Sequence, residues 1–557
     1  FGLGDPDIHD LSSRDVQALL SSHPLNLVVK LPNLFAGEGA ISADLSVHAI
    51  KEFRIERLAQ GFEAIKLAAK IHADLKKGAT RSEIMGRYPG ASSWGCLDEV
   101  FEAAGPTEAM PNEAVSAKIA DAPMMAAPRD EQTKSDDPLS NIFSMVAEPG
   151  AGDADPVSKG DVAEPDHAPD VVHQALAAFV GQISRDLAPR EGGQWASQAL
   201  AALEHVLAAQ LSLLAEHPTL RMLRRNWLMV SFLLKKLGRS GDVRLHLLDS
   251  ADVSLAEAMR ALLINRDDLA PAGLGVMVQL EVLDGPAVPS LLAQYAEIAD
   301  LVQVPLVTSL GEEFLDIQDG KLSDAPIKDA YRHSWKLLRE KAEARWLSVT
   351  CNGFCLEDEM SLSDLSMIAA VDGGMTISFP CRGSGAAIVA AIIAECVEET
   401  GWPGDIMNAN YAVEGLVMVD EAKTPLLWPM GLGDVRQLKG LGVMALGATQ
   451  LRDHLLLASA PSLASEFSDG RDASMGFVYQ LLFRRAVGLI EANYDQLFGL
   501  RGVQLCDRLK QIMDSYLVDG QADVVEMRAD DGVDGVIIDI NFGQTVLAGG
   551  RIHLEVP

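Results

Sequence analysis

Between residues 105 and 170 the chain places nine of its 26 prolines, fourteen acidic side chains and four basic ones. Pro106, Pro111, Pro123, Pro128, Pro138, Pro149, Pro156, Pro165 and Pro169 stand there among Ala, Gly and Asp. Proline removes a donor from any helix or ladder it enters, and so polar a composition hides too little apolar surface to offset its ordering entropy. The segment therefore reads as a linker. It divides the chain into a small N-terminal domain (1–104), an acidic linker (105–170) and a large C-terminal domain (171–557). One apolar island interrupts the linker, where Leu139, Ile142, Phe143, Met145 and Val146 have the spacing of a short amphipathic turn. It reads either as a sticky patch in a tether or as a docking segment.

Charge follows the same division. Of a formal net charge of −33, the three parts carry −3, −10 and −20. An acidic chain has no general affinity for nucleic acid or anionic membrane, both of which select basic surfaces. Hydrophobic residues at 48% and charged residues at 22% suit a soluble globular protein. The longest apolar stretches, Trp227–Leu234 and Ala386–Ala394, are shorter than the ~18 residues of a bilayer span, so no membrane insertion is expected. Cys96, Cys351, Cys355, Cys381, Cys396 and Cys506 are too few for a disulfide framework, and a reducing cytoplasm is the expected compartment. The sequence begins at Phe1 rather than Met, which leaves open what precedes it.

Hydrophobic periodicity assigns elements on both sides of the linker. Ile41, Ala43, Leu45 and Val47 alternate with polar residues, as in a half-buried strand, and Leu25–Val29 reads as a second strand. Phe53, Leu58, Phe62, Ile65, Ala69 and Leu75 then recur at helical spacing up to Gly78, which predicts one long helix. So small a core is expected to lean on another domain. In the C-terminal part, Leu200, Leu203, Leu207, Leu211 and Leu214 form one helical stripe, and Leu220 to Leu237 form another. His217-Pro218 separates them, since proline disfavours helix in the residue before it. Apolar runs at 243–248, 274–282, 301–307 and 346–349 alternate with helical patterns at 286–300 and 326–344, the order of an α/β sheet domain. Further helices are expected at 384–399, 472–498 and 502–517, and closing strands at 535–542 and 551–556.

Catalytic patterns are lacking. There is no His-Glu-x-x-His, no phosphate-loop lysine and no Gly-x-Ser-x-Gly elbow. Gly431-Leu-Gly433-Asp-Val-Arg436 begins like a dinucleotide loop but has Arg where close packing needs the third glycine. Arg382-Gly-Ser-Gly385 opens a helix, and reads as a cap rather than a phosphate site. Cys351, Cys355, Cys381 and Cys396 lack the close-pair spacing of zinc ligands. The acidic run Asp519, Asp523, Glu526, Asp530, Asp531, Asp534, Asp539 lacks the EF-hand pattern and reads as a solvated loop before the last strands. His205, His246 and His333 fall inside helix or strand patterns as structural histidines. The chain is expected not to be an enzyme and to need no cofactor or metal.

The order of these segments resembles a known family. Leu203 to Trp227, with Gln210 and the His217-Pro218 break, resembles the large subunit (TssC) of the type VI secretion contractile sheath. Val243–Asp249 resembles the strand that follows it there. Trp335-Lys-Leu-Leu-Arg339 and Ala344-Arg345-Trp346 are similar to that family's Trp-x-x-[Phe/Leu]-Arg and Ala-Arg-Tyr block. Ala386–Trp402, then 434–446, then 453–462 follow its downstream order, and 543–557 resembles its closing strand. The resemblance spans nearly all of 195–557. Leu45 to Leu58, around Phe53, is similar to the strand–Asp-Phe–helix element of the small sheath subunit (TssB). Three departures stand out: Ile55 replaces the family's proline, Thr350–Cys355 replaces its Pro-Arg and Arg-x-Pro-Tyr-Gly elements, and the Ser-Arg-Phe-Ala-His-Tyr helix survives only as Phe477–Arg485.

The resemblance implies two sheath subunits fused into one chain, with the linker giving each half a high effective concentration for the other. It implies an α/β fold in which a small α/β domain shares a sheet with a larger sheath-type α/β domain that carries a helical hairpin. It further implies a self-assembling subunit of a tubular polymer, knitted by strands exchanged between copies. Val536, Ile538, Ile540, Phe542, Ile552, Leu554 and Val556 are the candidate exchange positions, and Phe53, Trp227, Trp335, Arg339, Arg345 and Trp402 the family-matching core positions. Besides itself, the implied partners are an inner tube protein, a baseplate and a recycling AAA+ ATPase, for which Leu139, Ile142 and Phe143 are a candidate docking segment. The alternatives are a sheath relative that builds a non-contractile tube or closed shell, and an α/β enzyme or ligand-binding protein.

Overall fold

A computed structural model of the chain describes residues 7–11, 16–97, 193–237, 243–250, 253–261, 274–318, 320–357, 360–361, 376–377, 381–418, 424–448, 454–464, 475–517, 522–529, 536–543 and 551–556. The linker 105–170, with Leu139, Ile142 and Phe143, lies outside the described residues. What is described is mixed α/β.

The N-terminal piece contains strands β1 (Asp7–Asp10), β2 (Leu25–Pro32) and β3 (Ala40–Val47) and the helix α1 (Glu63–Lys76). β2 and β3 form an antiparallel hairpin, and their alternate residues Leu25, Val29, Leu31, Ala43, Leu45 and Val47 are buried. The single helix expected from Phe53 to Leu75 is broken. Ile50–Phe53 is a 3-10 turn, Ile55–Ala59 a short helix, and only then does α1 run. The break falls at Gly61, where a Cβ would stand 2.2 Å from Leu45 Cδ2, so the turn depends on a residue without one.

In the C-terminal piece the leucine stripe folds as α2 (Gly193–Glu216), and α3 (Pro218–Lys236) follows. Pro218 is the first residue of α3, where a missing N–H leaves no bond unmade. By length and composition α2 is the one helix among the described residues that meets the criteria for a membrane span, which the shorter apolar stretches had not suggested. In this fold it is a core helix that packs on α1. Leu203, Leu207, Leu211 and Leu214 are buried, each worth on the order of 2 kcal/mol in apolar transfer.

The C-terminal piece also holds a five-stranded sheet. Its strands are β5 (Met277–Leu283), β6 (Leu306–Leu310), β7 (Leu347–Cys351), β10 (Val443–Ala448) and β11 (Leu455–Ser459), in that spatial order. The first four are parallel and β11 closes the edge antiparallel. Helices α4 (Val288–Val302), α5 (Asp329–Arg339) and α7 (Leu432–Gly440) cover one face, and α6 (Gly385–Thr400) covers the other. Side chains alternate between the two cores: Val443 and Ala445 oppose Met444 and Leu446, and Leu456 and Ala458 oppose Leu455 and Leu457. The connection from β7 to α6 carries a short antiparallel ribbon, β8 (Gly353–Glu357) with β9 (Cys381–Ser384).

The run at 243–248 becomes β4 (His246–Asp249), but β4 does not join the five-stranded sheet. It pairs with β1, from Asp7↔Asp249 to Asp10↔His246. The halves thus share a two-stranded ribbon, whereas the large sheet draws every strand from the C-terminal piece. They also share one apolar core, continuous from β2, β3 and α1 through α2, α3 and α6 to the end of the chain.

After helices α8 (Phe477–Ala492) and α9 (Gly502–Tyr516), the chain ends in three antiparallel strands: β12 (Ala522–Ala529), β13 (Val536–Phe542) and β14 (Arg551–Val556). The acidic stretch expected to be a loop therefore contains a strand.

Candidate assembly surface

The terminal sheet is ordered β12–β13–β14, with β13 in the middle. β12 pairs with it from Ala522↔Phe542 to Ala529↔Val536, and β14 pairs from Val536↔Val556 to Asn541↔Arg551. Val536, Ile538, Ile540 and Phe542, with Ile552 and Leu554, are at most 5% exposed and face the core beneath α8 and α9. Val556 stands opposite Val536 in the register. Six of the seven candidate exchange positions are thus filled by the chain's own packing. What this sheet offers another chain is main-chain hydrogen bonding, at the outer edges of β12 and β14, which have no partner strand among the described residues.

On the other face of β13 a carboxylate is buried. Asp539 is 3% exposed. His553 Nδ1 lies 2.8 Å from its Oδ1 and Arg551 Nη2 2.9 Å from its Oδ2. The hydrogen bond from His553 and then that from Arg551 hold the Asp539 carboxyl below the usual carboxylate range. In sequence this residue looked like one more member of a solvated acidic run. The signal missed was Arg551 and His553, two residues apart on a strand, which puts them on one face.

The family-matching positions are anchors of the core. Phe53 and Trp227 are fully buried. Trp335 Nε1 donates to Leu441 O at 3.2 Å, and Arg339 donates to Leu463 O and Gly440 O at 3.0 and 2.9 Å, which ties α5 to the loops around β10 and β11. Arg345 Nη2 lies 3.4 Å from Asp300 Oδ1, the same oxygen that accepts from Trp346 Nε1 at 2.7 Å. Trp402 packs edge-on against Phe542, with centroids 5.4 Å apart, and donates to Tyr516 O at 3.3 Å. It fastens the terminal sheet to α6 and α9. Arg484, not singled out by sequence, is buried on α8 between Leu274 O (2.7 Å) and the carboxylate of Glu491 (2.6 Å).

Polar bonds also cross the seam between the halves. Leu34 N donates to Gln210 Oε1 at 3.0 Å, and His72 Nε2 lies 2.8 Å from Glu204 Oε1. Both acceptors lie on α2, so this helix receives the small piece through leucines and polar side chains together.

Among the described residues no catalytic constellation is assembled. Among the described residues no group of three or more His, Cys, Asp or Glu is placed to hold a metal. Burial pushes the Cys351, Cys396 and Cys506 thiols up, away from the reactive thiolate. Gly431 N donates to Asp434 Oδ2 at 2.7 Å, so the glycine-rich turn caps α7 with its own carboxylate. Ser384 caps α6, whose Ala and Ile residues are buried, which accounts for Arg382–Gly385.

No protein-family model matches the chain, and no curated protein matches it significantly. Among solved structures, a sheath tail protein from Desulfitobacterium hafniense is 10% identical, with a TM-score of 0.33 over 57% of this chain and 67% of that one. A sheath tail protein from Listeria innocua is 11% identical, with a TM-score of 0.26 over 49% of this chain and 60% of that one.

Proposed function

We propose that the chain is a structural subunit that assembles with copies of itself into a tubular polymer of the contractile-sheath type. The observation that carries this reading is the terminal sheet, whose last strand, β14, is joined to the sheet on one side only, along β13, so that the same ladder can form with β13 of another copy. The order of sheath-like segments along 195–557, with the small-subunit-like element around Phe53, supports it from the sequence. In this reading, β14 of one copy pairs beside β13 of the next, so main-chain bonds give affinity and alternate side chains give register. The inner tube protein, baseplate and AAA+ ATPase are the partners it calls for, in the cytoplasm.

The departures at Thr350–Cys355 favour a second reading, a static tube or closed shell. Thr350 and Cys351 are buried at the end of β7, and Asn352 (φ 69°) bonds Trp428 N and O, so this corner is built as core.

Negative-stain microscopy and sedimentation of the purified chain test the proposal. Rings, tubes or shells are expected. Compact monomers at every salt concentration would reject assembly. Truncation after Gly543, which removes β14, is expected to abolish polymers, and polymers that persist undiminished would remove β14 from the mechanism.

A further inference from the structure

β14 presents two patterns at once. Ile552 and Leu554 point into the core, while Arg551 and His553, between and beside them, clasp Asp539 on the opposite face. The clasp is asymmetric: Asp539 is 4% exposed at its side chain, but Arg551 and His553 are 58% and 48% exposed. A buried carboxylate is tolerated only while its donors are in place. Whatever strand lies beside β13 must therefore bring donors to this one point of the ladder, opposite Asp539 and two residues before it, with apolar residues between. A slip of one residue turns Ile552 or Leu554 toward Asp539 and sends His553 to the core. A slip of two in one direction sets Glu555 opposite Asp539.

The chain holds a second copy of this arrangement. Arg244-Leu245-His246-Leu247 repeats the order of Arg551-Ile552-His553-Leu554, and its last two residues open β4, where the histidine again stands antiparallel opposite an aspartate, Asp10. There the pair is looser, with His246 Nδ1 3.9 Å from Asp10 Oδ1 and both side chains about half exposed. Two ribbons distant in sequence thus place aspartate opposite the histidine of an Arg-apolar-His-Leu sequence, and of these two aspartates only Asp539 is buried.

We infer that Asp539 is the specificity-determining residue of strand exchange: it selects, beside β13, the Arg551-Ile552-His553-Leu554 strand of a second copy of this chain and fixes its register. The inference rests on the assembly proposed above. Foreign strands, and the same strand slipped by one residue or by two toward Glu555, leave the carboxylate without donors or against a like charge.

Full-length variants test it. Asp539→Lys alone, and Arg551→Glu with His553→Glu, each break the clasp, and the triple variant rebuilds it with charges reversed. At equal concentration each broken variant is expected to sediment as polymer at least about tenfold less than wild type, and the triple variant to recover. Differently labelled wild-type and triple-variant chains, mixed before assembly, are expected to co-sediment at least about tenfold less than either does with itself. Near-ultraviolet circular dichroism identifies any variant that fails to fold, and the mixing experiment depends only on the two forms that carry a complete clasp. Free mixing of the triple variant with wild type, or wild-type assembly by Asp539→Lys, overturns the assignment of Asp539 and leaves the assembly reading standing. A wild-type chain that stays monomeric overturns both.

Discussion

Arg484 shows how a single side chain can hold several elements. Its guanidinium, 2% exposed, bonds Glu491 on its own helix and the carbonyl of Leu274 just before β5. Removing one member of such a pair leaves the other without its partner, so Arg484→Met is expected to cost about 3 kcal/mol in chemical denaturation. A variant within 0.5 kcal/mol, on the order of an ordinary surface change, would deny the residue this role. Protonation acts at the same scale. Burial lowers the pKa of His205 and His217. The unfolded chain therefore binds their protons more readily, and stability is expected to fall as pH drops below the ordinary histidine value of about 6.5. Asp539 is depressed instead, so its contribution is present above the ordinary carboxylate value and is lost as pH falls through its lower folded one. Melting curves between pH 8 and 5 check the histidines. The slope should flatten in His205→Gln/His217→Gln, and an unchanged slope would point to other groups. The role of Arg484 was not legible in the sequence, because it depends on Leu274 O, far back along the chain.

Elements were more legible than partners. The break at Pro218, the helices α4, α6 and α9, and the strands β3, β13 and β14 follow from periodicity, because their neighbours in sequence share a face in space. Two kinds of element escaped. β12 carries Asp523 and Glu526 within an acidic stretch that runs on to Asp534, which looks like a loop when its pairing with β13 is unseen. The turn at Gly61 interrupts an otherwise unbroken helical period for the sake of one close approach to Leu45, a contact from another element. The turn from α7 into β10 depends on glycine more strictly. Gly442 has φ +77°, and a Cβ there would lie 3.0 Å from Leu463 O and 3.1 Å from Arg339 Nε. Gly442→Ala combines left-handed strain with crowding of backbone and is expected to cost about 2 kcal/mol. A thermal shift no larger than that of Gly433→Ala, where nothing lies within 4 Å, would show that the turn relaxes freely.

At the scale of the molecule, the two halves are one folded unit. α1 lies on α2, β1 pairs with β4, and polar bonds reach Gln210 and Glu204 across the seam. A protease site introduced near residue 150 and then cut is expected to leave both fragments co-eluting at the size of the intact chain. Separation of the fragments at micromolar concentration would mean that the covalent connection, rather than the seam, holds them. The same seam predicts that residues 1–104 expressed alone expose the α1 face and aggregate, which light scattering would show.

The β1–β4 ribbon has a consequence for synthesis. β1 leaves the ribosome about 240 residues ahead of the strand it pairs with. At roughly 5–20 residues per second the N-terminal piece waits on the order of tens of seconds before its ribbon and the α2 side of its core exist. During that interval Leu25, Val29, Phe53 and Ile65 can pack only within the N-terminal piece, a long-range closure that slows folding and gives holding chaperones time to bind.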